Sequence, residues 1–315
     1  MTETYLITGG AGFIGSHLAE ALVQAGHNVR VIDNFATGRR ENIAHLLDRL
    51  TLYEVDITDR AALDAPMAGV DYVLHQAAIP SVPRSVDDPL GTNNANVTGT
   101  LNVLDAARHA GVKRVIYAAS SSAYGEIEGE YKSEDMKPQP LSPYAVAKLT
   151  GEYYCQAFYR VYGLETVALR YFNVFGPRQD PTSQYAAVIP IFIRALLEGR
   201  PPIVHGDGLQ SRDFTYVENV VYGNLLACKA PREAAGEVIN LACGNRTTLL
   251  DLLDQLNALL GTNIAPVHVA PRPGDIKHSR AAIDKAGRLL GYEPQVGFRE
   301  GLSRTVEWFR AHNSG

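Results

Sequence analysis

Residues 4–33 read TYLITGGAGFIGSHLAEALVQAGHNVRVID, and their order decides the fold. Thr4 to Thr8 form an apolar run that reads as a strand, and Gly9, Gly12 and Gly15 follow at once. Ile14, Leu18 and Leu22 then recur at helical spacing until Gly26 stops the helix. A second apolar run, Asn28 to Ile32, ends in Asp33. Strand, glycine turn, helix and strand make the unit that holds a dinucleotide. Gly9 permits the tight turn, Gly12 lets backbone approach a pyrophosphate, and Gly15 lets helix pack closely on strand. Free amides at the helix start face the phosphates. Asp33 suits the adenosine ribose and repels the extra phosphate of NADP, so the expected cofactor is NAD.

The alternation continues. Leu52 to Val55, Val70 to His75, Val112 to Ala119 and Glu165 to Tyr171 read as strands, with a helix over Val97 to Ala110 striped by Leu101, Leu104 and Ala107. Short apolar strands separated by amphipathic helices predict a parallel sheet covered on both faces, with ligands beyond the strand C-termini. Asp56, the Gln76–Ala78 turn and Ser120 fall at that edge; His75 reads as a packed, hydrogen-bonded histidine. The Gly/Pro-rich FNVFGPRQDP opens a second lobe. Helices are expected there over Val188–Glu198, near Val221–Ala227, over Leu249–Leu260 and near Arg299–Ala311, the last with Trp308 in the core. The division is a cofactor domain over 1–172, joined by a segment near 214–243, and a substrate lobe over 173–315. A cleft between them is the expected substrate site.

Between the lobes stands a serine triplet, Ser120 to Ser122, followed by LSPYAVAKL. With Ser142 as cap and Pro143 opening a helix, Tyr144 and Lys148 fall on one face, one turn apart. A nearby ammonium favours phenolate, so the pair is a candidate proton-transfer apparatus, with a serine at the strand tip beside it. The spacing alone is common, and residues cannot choose among the three serines; strand-end capping accounts for any two of them.

The chain has 315 residues, 20% charged and 46% hydrophobic, with formal net charge −5. Such a balance excludes disorder and gives no broad basic surface, so neither nucleic acid nor an anionic membrane is an expected partner. Cys155, Cys228 and Cys243 lack ligand spacing, so no disulfide and no metal is expected. The short polar lead is neither a signal peptide nor a spanning segment, which makes the cytoplasm the expected location.

Taken together, GGAGFIG, Asp33, SSSAYG, YAVAK, RYFNVFGPRQ and SRDFTYV resemble the extended short-chain dehydrogenase/reductases across essentially the whole chain, and within them the UDP-sugar 4-epimerases. The resemblance implies an α/β fold, a Rossmann-type doubly wound parallel sheet with a smaller α/β substrate-binding lobe. It implies that Ser120, Tyr144 and Lys148 are catalytic. Tyr144 as phenolate takes the sugar 4-hydroxyl proton through Ser120 while the C4 hydride passes to NAD. Lys148 holds the nicotinamide ribose and keeps the Tyr144 pKa low, and the 4-keto sugar turns over and is reduced on its other face. The same likeness assigns NAD contacts to Phe13, Ile14, Asn34, Gly38, Asp56, Ile57, Gln76, Ala77, Ala78, Asn96 and Phe172. It assigns Ser121 and Ser122 to the sugar, and Asn173, Val188, Arg212, Arg272 and Asp275 to UDP; Arg84 is a weaker candidate. A homodimer through the Asn96–Ala110 and Tyr144–Tyr162 helices is expected on the same ground.

Two departures narrow the choice. The 4,6-dehydratases place an Asp-Glu pair where Ser121 and Ser122 stand, and the decarboxylases a Glu, so both are disfavoured for want of an acid/base carboxyl. Epimerases restricted to unsubstituted sugars carry a bulky tyrosine at the place of Ser279, and serine leaves room for a 2-acetamido group. UDP-N-acetylglucosamine and UDP-N-acetylgalactosamine are therefore the expected substrates, with UDP-glucose and UDP-galactose weaker. A UDP-glucuronate 4-epimerase and an oxidoreductase with net redox turnover are the alternatives.

Overall fold

The protein is described by a computed structural model covering residues 2–126, 131–180, 187–271 and 277–312. Seven parallel strands form the central sheet: β1 (Thr4–Thr8), β2 (Asn28–Ile32), β3 (Leu50–Tyr53), β4 (Tyr72–His75), β5 (Arg114–Ser120), β6 (Glu165–Tyr171) and β7 (Glu237–Leu241). Their spatial order is β7-β6-β5-β4-β1-β2-β3, so the chain reverses direction across the sheet between β1 and β4. Side chains alternate between two cores. In β5, Ile116 and Ala118 enter one cluster with Tyr5, Ile7 and Leu18, while Val115 and Tyr117 enter the other with Leu6, Val73 and Leu104. The period of two places a packed layer on each face, as expected for parallel strands.

Four helices frame the site. The first, α1 (Phe13–Gln24), follows the glycine turn, and α2 (Gly99–His109) lies under β4 and β5. The third, α3 (Pro143–Tyr162), starts where the Ser142 hydroxyl accepts the Ala145 N–H and Pro143 sets the first turn; it stops at Gly163, at φ 73°. The fourth, α4 (Val217–Lys229), returns to the first core beside β1 and leads to β7, so the segment foreseen near 214–243 adds a helix and the edge strand to the main sheet. The remaining lobe packs a third cluster from Val188–Leu197, Leu249–Leu260 and Phe298–His312 around Phe175, Phe192, Leu252 and Phe309.

Several expected elements differ in their bounds or packing. The third strand is Leu50–Tyr53 rather than Leu52–Val55, because its pairing with β2 ends where β2 ends, at Ile32 opposite Tyr53. The Val97–Ala110 helix is preceded by a π-helical turn at Asn94–Thr98 and begins at Gly99, where a Cβ would fall 2.5 Å from Ile57. The helix near Val221–Ala227 is longer at both ends. Trp308 is half-buried and stacks on His312 at 4.3 Å, while Leu302, Val306 and Phe309 form the inner stripe of the last helix.

Candidate active site

The glycine turn is closed on itself. Gly9 lies at φ 68° and its N–H donates to Ile32 O at 2.7 Å. A Cβ at Gly15 would fall 2.1 Å from Gly9 O, so only glycine lets α1 start this close to β1. A Cβ at Gly12 would meet only Gly9 O, at 3.1 Å, leaving that position open toward the cleft. No side chain caps α1, so its first N–H groups remain for a ligand.

Asp33 closes the far side. It is buried, and its two oxygens accept separately from Ala11 N (2.9 Å) and Phe35 N (2.8 Å). Burial pushes the carboxyl up and these two amides oppose it. A carboxylate has about four acceptor positions, so each oxygen retains one for a diol. Gly38 lies against it, where a Cβ would sit 2.7 Å from an oxygen. Asp56 is held below the usual carboxylate range: burial raises it, and hydrogen bonds from Thr58 and Asn34 outweigh burial. The Gln76–Ala78 turn is pinned by Thr8, whose hydroxyl accepts Ala77 N at 3.2 Å and lies 2.6 Å from His75 Nδ1. The glycine cradle, the free helix N-terminus and the part-satisfied Asp33 fit a dinucleotide, with Gly9, Gly12, Phe13, Ile14, Gly15, Asn34, Asp56, Ile57, Ala77 and Ala78 around it.

These residues line one cleft with the candidate catalytic group. Its volume of ≈ 1560 Å³ exceeds the usual range of about 300–1,000 Å³ for a site holding one small ligand. Ser120 ends β5, and its Oγ accepts from Ser122 N (3.2 Å) and from Ser122 Oγ (2.9 Å). Tyr144 faces the same cleft, and Ser120 acts to lower its phenol against burial. Lys148 is buried, donates to Ala118 O at 2.8 Å and lies 5.1 Å from the Tyr117 ring. Burial lowers its pKa to about 8.

Burial pushes the Tyr144 phenol up, and Ser120 opposes burial. Lys148, one turn further along the same helix, is held on the strand carbonyl of Ala118.

The same cleft is lined by Ser121, Ser122, Asn173, Arg212 and Ser279, with Arg84 also on its wall. Asn173 adopts φ 35°, and its amide donates to Asp213 O at 3.1 Å, which fixes its direction. Three assigned residues do not line the cleft. Asn96 is buried in the π-helical turn and its amide brackets Ile79, accepting its N–H at 2.8 Å and donating to its carbonyl at 3.2 Å. It therefore fixes the loop after β4. Phe172 is fully buried with Tyr124, Ala242 and Ala281, because one residue along the chain from Tyr171 the side chain turns away from the cleft. Val188 starts a helix and packs on the third core. Arg272 and Asp275 lie outside the described residues.

Several wall residues have no signal in the sequence. Tyr171 lies in the cleft and shares hydrogen bonds with Gln76 and Asn224, contacts that span 95 and 53 positions. Arg39 and Asp180 pair at 2.6 Å across the lip. Lys132 also lines the wall. Among the described residues there is no group of three or more side chains placed to hold a metal, and no helix is long and apolar enough to cross a membrane.

The profile of the NAD dependent epimerase/dehydratase family matches residues 5–242. A UDP-glucose 4-epimerase of Mycolicibacterium smegmatis is 39% identical over 310 residues, covering 97% of this chain and 98% of its own. Among solved structures, the UDP-glucose 4-epimerase of Thermotoga maritima with UDP-glucose superposes with a TM-score of 0.94 at 39% identity, over 99% of this chain and 100% of that one. The UDP-N-acetylglucosamine 4-epimerase of Methanobrevibacter ruminantium M1, in complex with UDP-N-acetylmuramic acid, also gives 0.94, at 41% identity over 99% and 100% of the two chains.

Proposed function

The chain belongs to the NAD dependent epimerase/dehydratase family, and from that premise we propose a UDP-sugar 4-epimerase that prefers N-acetylated hexosamines. The enzyme is an NAD-dependent isomerase, as its relatives are. The observation that carries the reading is the meeting of Ser120 with Tyr144 in the same cleft as the glycine turn, with serines at 121 and 122. No carboxyl stands in that turn to drive elimination or decarboxylation.

NAD supplies a reversible acceptor for the hydride of the sugar C4. The protein's own residues do the rest. Tyr144 Oη takes the 4-hydroxyl proton, and Ser120, on the same cleft wall, relays that proton and returns it after the ketone turns over. Lys148 remains a buried donor beside the nicotinamide end, titrating near 8, and so carries its charge through neutral pH. Asn173 and Arg212 hold the nucleotide while the sugar pivots, and half-buried Ser279 leaves space beside C2.

The cofactor lobe (1–172 with 214–243), the substrate lobe from the remainder of 173–315, and a cytoplasmic location belong to the same proposal. So does a homodimer. Its apolar face is richer on α3, where Val146, Tyr153, Val161 and Tyr162 are exposed, than on α2. Tyr144→Phe tests the mechanism: NAD content should be unchanged and turnover should fall by about 10²-fold or more. Full activity in that variant would remove Tyr144 from the chemistry.

A further inference from the structure

Lys132 is a buried cation that the mechanism above does not use. Only 4% of its surface is exposed. Its backbone is fully engaged: its N–H donates to Arg280 O at 2.7 Å, and its carbonyl accepts from Ala282 N at 3.0 Å and from Asn240 Nδ2 at 2.9 Å. What it can offer the cleft it lines is therefore its side chain. Among the described residues no hydrogen bond or ion pair is made to its Nζ. Burial lowers its pKa, with no neighbouring charge to counter the burial. The bridge between Lys132 and Ala281 sets it two residues from Ser279, whose own N–H is tied to Ser211 O at 3.1 Å. An ammonium on the cleft wall without a protein acceptor is free to donate to a ligand that supplies one.

Resting on the epimerase reading, we propose that Lys132 is a specificity-determining residue that donates from Nζ to an exocyclic oxygen of the sugar beside Ser279. The acceptor class is a carbonyl or a carboxylate, as borne by an acetamido group or a uronic acid. A sugar that bears only hydroxyls gives a weaker acceptor. Lys132 and Ser279 act in concert on this wall. Ser279 leaves the space and Lys132 rewards the substituent that fills it.

The test is calorimetric binding of UDP-glucose, UDP-N-acetylglucosamine and UDP-glucuronate to NAD-loaded protein, all in a Tyr144→Phe background so that no sugar is consumed. Lys132→Met keeps the length and apolar stem, and Lys132→Arg keeps the charge. Lys132→Met should weaken at least one acceptor-bearing sugar by about tenfold to a hundredfold and UDP-glucose by less than roughly threefold. Lys132→Arg should retain part of the preference. A loss confined to UDP-N-acetylglucosamine identifies the acetamido carbonyl as the acceptor, and one confined to UDP-glucuronate identifies the carboxylate; either supports the proposal. Equal losses on all three sugars, or none, overturn it. NAD content reports that each variant is folded. Failure of the underlying reading shows separately, as wild-type protein that binds these sugars without interconverting their C4 epimers.

Discussion

Replacing Arg170 by Met should be among the most damaging single changes outside the reacting groups, and a second replacement should repair it. Arg170 on β6 and Glu152 on α3 form a bidentate pair, Nε to Oε1 at 2.8 Å and Nη2 to Oε2 at 2.7 Å, with side chains 4% and 1% exposed. Burial pushes the Glu152 carboxyl up. Burial acts to lower Arg170, and the hydrogen bonds to Glu152 outweigh it and hold the guanidinium charged. Removing the arginine leaves an uncompensated buried carboxyl, which costs about 3–5 kcal/mol. Without its partner Glu152 rises further, so the variant is least impaired below the unfolded carboxyl range and more impaired as pH increases. Arg170→Met should therefore lose more stability at pH 8 than at pH 5. The double variant Arg170→Met, Glu152→Leu replaces the pair with apolar volume and should return to within about 1 kcal/mol of wild type or exceed it. Its activity should not return. The guanidinium lies 4.5 Å from the Tyr124 ring, at the end of the serine turn, and Glu152 supports the charge of Lys148. Urea unfolding of NAD-saturated protein, with kcat measured on the same samples, separates the two effects. A single variant that costs under about 1 kcal/mol, or a double variant whose loss is the sum of both singles, refutes this account.

Gly15→Ala would set a Cβ 2.1 Å from Gly9 O and 2.8 Å from Gly10 Cα, both backbone atoms, so α1 must withdraw from the turn; the protein should purify with little NAD, and full occupancy would contradict the packing role. His75 is buried between Thr8 and Thr100, and burial lowers its pKa to about 3. Its neutral form is favoured in the fold, so its contribution is present above the unfolded value of about 6.5 and is lost as pH falls toward 3, at about 1.4 kcal/mol per unit. Between pH 7 and 5 wild type should lose about 2 kcal/mol more than His75→Gln in urea unfolding, and parallel losses would show that His75 does not carry this dependence.

Local rules made much of this readable. Glycines that must approach backbone, a proline and serine that start α3, and strands of period two are dictated within a few residues, so the turn at Gly9–Gly15 and the Tyr144–Lys148 face are visible before any fold is known. Placement across the sheet is different. Asn96 and Phe172 have the residue types of a cofactor wall, but a π-helical turn points one at Ile79 and strand-end geometry buries the other. Tyr171, Asn224 and Lys132 reach the site region through partners dozens of positions away. Spacing on a helix fixes which face Tyr144 and Lys148 share, while the acceptor that holds Lys148, Ala118 O, comes from β5 and has no local signal.

The most direct measurement is proton NMR of purified protein, with no added cofactor, incubated in heavy water with UDP-N-acetylglucosamine. The account requires the C4 epimer to appear with protium retained at C4, because the hydride leaves and returns on the same sugar, and with no net accumulation of reduced cofactor. Deuterium at C4, stoichiometric consumption of the bound NAD, or no epimer from UDP-N-acetylglucosamine or UDP-glucose would contradict it.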